Sequence, residues 1–147
     1  FEWQFSLGAI LALFHDVVIT VGIFSFLSYE VNLSIVAAVL TIVGYSMNDT
    51  VVIFDRIREN LKKYSKISIS EISNTSTNET LSRTLITSIT TLLALFSIFI
   101  FGGAILKGFS LAMIIGVIIG TYSSIFVATP ILNYTNVTQK TVLKEED

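Results

Sequence analysis

Charged residues divide this chain into four long apolar segments, at about Leu7 to Ser28, Leu33 to Phe54, Thr84 to Phe101 and Phe109 to Leu132. A helix needs about 20 residues to cross a ~30 Å hydrocarbon core, so each segment is predicted to be one transmembrane helix. Between Asp16 and Glu30 only 13 uncharged residues remain, or ~20 Å of helix at 1.5 Å per residue. That is too short to span, so His15 and Asp16 are expected within the membrane or at its edge. The joints "YEVN" (Tyr29 to Asn32) and "GGAILKG" (Gly102 to Gly108) are short and predict tight helical hairpins, the glycines ending one helix and permitting the turn. The joint over residues 56–82 is longer. Ile57, Leu61 and Tyr64 recur at i, i+4, i+7, which reads as an amphipathic continuation of the second helix. "SISE" (Ser68 to Glu71) has capping-box spacing and could open a short surface helix. The Ser/Thr/Asn-rich "SNTSTNET" next to it fits a flexible linker equally well.

Composition sharpens this into an all-α, polytopic membrane bundle. Of 147 residues, 52% are hydrophobic and only 14% charged, with a mean hydropathy of +0.77; a soluble domain carries roughly 25% charged residues. A net charge of -2 and the absence of a basic groove argue against nucleic-acid binding. With no cysteine and one histidine, thiolate and histidine-rich metal sites are excluded, and no cofactor is implied. "FEWQFS" has no initiator Met and no basic n-region, so it is no signal peptide, and the chain is expected to be cut from a longer one. Five basic residues between Arg56 and Lys66, with Arg83 beyond them, assign the long joint to the cytoplasm. The two short joints then lie outside, and the tail at 133–147 returns inside. Lys107 is a single exception on the outer side.

Within lipid, helices associate by close contact, so small residues mark interfaces. Ala112, Gly116, Gly120, Ser124 and Ala128 form one column in the fourth span and include a GxxxG. A dimer seam and intramolecular packing both fit that column, with packing against a neighbouring span preferred. Gly8, His15 and Gly22 align in the first span, Ala37, Thr41, Gly44 and Asn48 in the second, and Arg83, Thr87, Thr90, Ala94 and Ser97 in the third. These stripes are expected to face other helices, leaving Ile, Leu, Val and Phe for lipid.

Asp49 is the one charge in the second span, six residues or ~9 Å of helix before Asp55. Arg83 stands where the third span begins and can snorkel inward along its Thr87 face. The two can meet if the second and third spans are neighbours. An ionised Asp near a helix centre costs about 2.5–3.5 kcal/mol on insertion scales, so such residues line bundle interiors or wet cavities. Burial disfavours a charged carboxylate and a nearby guanidinium favours it; a site where these compete can load and release a proton. The alternative is a buried ion pair or helix contact with Asn48 and Thr50 as partners. His15 and Asp16 are supporting polar residues, His15 reading most simply as a satisfied interfacial histidine.

"FEWQFSLGAILALFHDVVITVGIF", "GYSMNDTVVIFDRIREN", "TLSRTLITSITTLLALFSIFIFGG" and "GTYSSIFVATP" closely resemble the SecF family, within the resistance-nodulation-division superfamily. These blocks cover nearly the whole chain apart from linker and tail. The resemblance implies the last four of six spans of one half, with the first span, the periplasmic domain and the second span missing. It also implies a role in proton-driven preprotein export across the bacterial inner membrane, beside a SecD-type partner subunit and the SecYEG translocon. Preprotein contact would fall to the missing periplasmic domain. Asp49 of "NDT" and Arg83 of "SRTL" match the family residues implicated in proton conduction. Half of a proton-coupled efflux transporter, and a non-transporting membrane scaffold, are the competing readings; Asp49 has no evident purpose in a scaffold.

Overall fold

The computed structural model describes residues 2–144, so Phe1 and the last three residues of the tail lie outside it. Helix α1 covers Trp3–Phe26 and reverses through a short turn in which Ser28 has φ 54°. Asn32 caps the next helix, its side chain accepting from Ile35 N at 3.1 Å. Helix α2, Leu33–Lys63, carries the second segment straight through the expected boundary at Phe54. Ile57 and Leu61 explain the continuation: both are buried, on one face.

Helix α3 runs unbroken from Ile69 to Phe101. Ser68 does cap it, accepting from Glu71 N at 3.3 Å, but the helix it opens is not short, and no flexible linker interrupts it. One face of the Ser/Thr/Asn-rich stretch packs in a hairpin with α2, where Ile72, Ser73 and Ser76 are enclosed and Asn60 Nδ2 donates to Ser76 Oγ at 2.9 Å, while Asn74, Thr75 and Asn78 stay exposed. Helix α4, Gly103–Ser123, resumes immediately after Gly102, so most of "GGAILKG" is helix rather than loop. The reversal is confined to Gly103, whose φ of 75° suits a residue without a Cβ.

Helix α4 passes through a π-helical turn at Ser124–Ala128 into α5, Thr129–Tyr134. Pro130 stands in the first turn of α5, where a missing N–H is tolerated, and Thr129 Oγ1 donates to Ser124 O at 3.1 Å. A last helix, α6 at Gln139–Leu143, buries Val142 and ties to α2 through Gln139 Nε2 on Lys62 O at 3.2 Å.

Four stretches of the described residues, counting Gly103–Tyr134 as one, are long and apolar enough to cross a membrane. The fourth is the central one and touches α1, α2 and α3. The apolar core is split in two. One cluster gathers Phe5, Ala9, Ile53, Phe54, Ile57 and Leu132, and the other Phe24, Ile35, Ala38, Ile42, Ala112 and Val117. On α1, α2 and α4 alike, the residues between the clusters are polar: Asp16 and Thr20, then Ser46, Asp49 and Thr50, then Ser123 and Ser124, all buried.

Candidate intramembrane proton site

That polar layer contains both intramembrane acids, in different surroundings. Asp16 is fully enclosed. Its Oδ2 accepts from Ser46 Oγ of α2 and from Ser123 Oγ of α4, the latter at 2.8 Å, while His15 Nδ1 lies 3.1 Å from Oδ1. Three groups from three helices therefore converge on one carboxylate. His15 itself is half-buried at the edge of the layer. The π-helical turn supplies the α4 side: Ser123 and Ser124 are consecutive, yet both are buried. Ser123 turns to Asp16, and Ser124 Oγ sits 3.1 Å from Thr50 Oγ1. In a regular helix neighbouring side chains diverge by about 100°, which the wider π turn relaxes.

Asp49 is 5% exposed and has no such partners; its Oδ2 is enclosed without a hydrogen bond among the described residues. Arg83 forms no ion pair with it, but its charge acts on Asp49 at longer range. Arg83 is exposed on α3, and Thr87 one turn further on folds back on its own helix, donating to Arg83 O at 2.6 Å. Asn48 is exposed on the opposite side of its turn from the enclosed Ser46 and Thr50.

The α4 column of Ala112, Gly116, Gly120, Ser124 and Ala128 is buried inside the chain, with Gly116 against Ile42 and Gly120 against Ser46. Two other stripes turn outward. Ala37, Thr41, Gly44 and Asn48 on α2 are all exposed, as are Arg83, Thr87, Thr90, Ala94 and Ser97 on α3. Gly22 likewise has open space around it, and only Gly8 of its stripe is closely packed, beside Phe54. The inward residues of α3 are instead Thr84, Ser88 and Leu95. Sequence reasoning missed Ser46, Ser123 and the chain Tyr45–Ser88–Thr121, in which Tyr45 Oη donates to Ser88 Oγ at 3.3 Å and Ser88 lies 2.7 Å from Thr121 Oγ1. The available signal was spacing: Ser46 sits four residues from both Ile42 and Thr50.

Four membrane-length helices around a buried layer holding two carboxylates have the build of a multi-pass membrane protein. The chain belongs to the SecD/SecF family: the family "Protein export membrane protein SecD/SecF, C-terminal" matches residues 1–138. It is 59% identical to the protein translocase subunit SecF of Rhodothermus marinus over 138 residues, covering 90% of this chain and 45% of the relative. The SecF of Rickettsia rickettsii is 57% identical over 132 residues, covering 90% and 43%. A crystal structure of SecDF in the super-membrane-facing form superposes with a TM-score of 0.88 at 43% identity, covering 99% of this chain and 20% of that one. The chain thus spans less than half the length of these relatives.

Proposed function

We propose that this chain forms the last four of the six spans of a SecF-type export subunit that couples the proton gradient to preprotein translocation across the bacterial inner membrane. Asp49 is the proton-binding carboxylate and Arg83 its charge partner. The protein is a transport subunit rather than an enzyme. The observation that carries the reading is Asp49: an acid 5% exposed, in the middle of a membrane-length helix, with one oxygen enclosed and no donor to it among the described residues. Buried polar atoms are normally hydrogen-bonded, and acids inside membrane helices normally mark ion or proton routes.

When Asp49 is ionised, Arg83 answers its charge; when it is protonated, that attraction is gone. The loaded and empty states differ by one charge within the bundle, which is what a proton-driven movement requires. Asn48 and Arg83 belong to the outward stripes, so the partner subunit that completes the site is expected on that side. The basic stretch from Arg56 to Lys66, and with it the C-terminus, is assigned to the cytoplasm by the positive-inside rule.

The test is Asp49→Asn in the full-length subunit assembled with its SecD-type partner. Gradient-dependent export is expected to be lost while assembly persists; normal export would sink the reading. Arg83→Met is expected to be similarly damaging, with Arg83→Lys retaining partial activity. An unaffected Arg83→Met variant removes Arg83 from the mechanism.

A further inference from the structure

Proton binding at Asp49 leaves the more deeply buried acid unused. We propose that Asp16 is a positioning residue for Asp49: a fixed hydrogen-bond acceptor that locks the α2 turn carrying Asp49 against α1 and α4. This inference rests on the assignment of proton binding to Asp49.

The two carboxylates divide by their contacts. Asp16 is enclosed and receives Ser46 Oγ, Ser123 Oγ and the His15 ring nitrogen. A carboxylate is an acceptor only, so the tautomer that satisfies this contact carries its hydrogen on Nδ1. Asp49 has an enclosed oxygen with no donor among the described residues. Contacts from three helices thus hold both oxygens of Asp16, whereas Oδ2 of Asp49 meets no donor among the described residues.

Position along α2 supplies the link. Ser46 lies one turn before Asp49 and is fixed by Asp16 on one side and by Gly120 on the other, where a Cβ would come within 3.3 Å of the serine's own. Thr50 is the residue after Asp49 and is fixed to Ser124 at 3.1 Å. Asp49 is thus bracketed by Ser46, hydrogen-bonded to Asp16 of α1 and packed on Gly120 of α4, and by Thr50, held to Ser124 of the π-helical turn. Rotation of α2 about its axis, which would swing Asp49 relative to Arg83, breaks both. The titratable group beside Asp16 on α1 is His15; α2 offers Asp49 one turn away and Tyr45, whose hydroxyl is turned to Ser88 of α3; α4 contributes only hydroxyls.

The experiment uses the full-length subunit with its partner in proteoliposomes. It reads the infrared band of a protonated carboxyl group against pH, together with the pH profile of gradient-driven export. Asp49→Asn is expected to remove the band. Asp16→Asn and Ser46→Ala are expected to keep it and to move its midpoint and the export profile together by about one pH unit, as Asp49 shifts relative to the Arg83 charge. Ser46→Ala added to Asp16→Asn should move it no further, because the two act through one contact. If Asp16→Asn fails to assemble, Ser46→Ala and Ser123→Ala read the same midpoint. A band that survives Asp49→Asn overturns the proposed function itself. A band silenced by Asp49→Asn but unmoved by the Asp16 and serine variants overturns only the positioning role; a band that survives Asp49→Asn and is lost in Asp16→Asn overturns both.

Discussion

Gly116 shows how little room the seam between α2 and α4 leaves. A Cβ added there would stand closer than 3.0 Å to three carbons of Ile42. Ile42 cannot swing aside cheaply, because a β-branched residue in a helix has one strongly preferred χ1, and it is 1% exposed. Gly116→Ala is therefore expected to destabilise the bundle by about 1–3 kcal/mol, the usual cost of overpacking. Thermal unfolding in detergent checks this, and adding Ile42→Ala, which removes the clashing atoms, should recover part of the loss. An unchanged midpoint in Gly116→Ala would mean that α2 and α4 do not pack through this column. Such a seam is legible in sequence because small residues at every fourth position are conspicuous among Ile, Val and Phe. The pairing of Asp16 with Ser46 and Ser123 is not legible in the same way: serines are common in membrane helices, and which of two consecutive serines faces inward depends on a π-helical turn that no local pattern announces.

Between the membrane and the α2–α3 turn, the hairpin is held by a charged fork. Arg56 donates to Glu79 and to Glu59, each at 2.6 Å; Lys63 reaches Glu59 at 3.3 Å, and Asn60 donates to Glu79 at 2.9 Å. The hydrogen bond from Arg56 is the main cause holding both glutamates below their ordinary value of 4.5, with Lys63 next for Glu59 and Asn60 next for Glu79. Because the folded values lie below the unfolded ones, this contribution is complete above about pH 4.5 and is lost as the pH falls through the folded values. The protection of amide hydrogens over residues 56–82, taken relative to their intrinsic exchange at each pH, is expected to fall on acidification through that window, with that of the 7–28 span unchanged. A flat pH response would show that the apolar contacts of Ile57, Leu61 and Ile72 hold the hairpin alone. The spans themselves were legible because hydropathy is summed over about 20 residues. The hairpin was not, since a Ser/Thr/Asn-rich sequence reads the same whether it solvates a linker or packs closely against a neighbour.

At the scale of the whole molecule, the outward stripes on α2 and α3 mark a face open to a further helix. Sequence marks Ala37, Thr41, Gly44 and Asn48, and Thr87, Thr90, Ala94 and Ser97, as faces made for helix contact, and they do share faces; the pattern carries no information on which neighbour they meet. Among the described residues they stand exposed, while α4 takes the centre. Lipid gains nothing from small and hydroxylated side chains, whereas another helix gains close approach. The chain also covers only 20% of the SecDF structure it matches, so much of what surrounds it there lies outside this sequence. On the proposed reading, the partner subunit's helices lie against these stripes and enclose Asn48 and Arg83 with Asp49 behind them. Gly44→Leu and Ala94→Phe have open surface around them in this bundle and are expected to leave its own unfolding midpoint unchanged. In the full-length subunit the same substitutions should sharply reduce co-purification of the SecD-type partner, and gradient-driven export should fall with it. The control is Ile105→Phe, at an exposed apolar position on α4 outside both stripes, which should keep the partner bound. Undiminished co-purification in both stripe variants would place the partner elsewhere and leave Asp49 to be completed from another side.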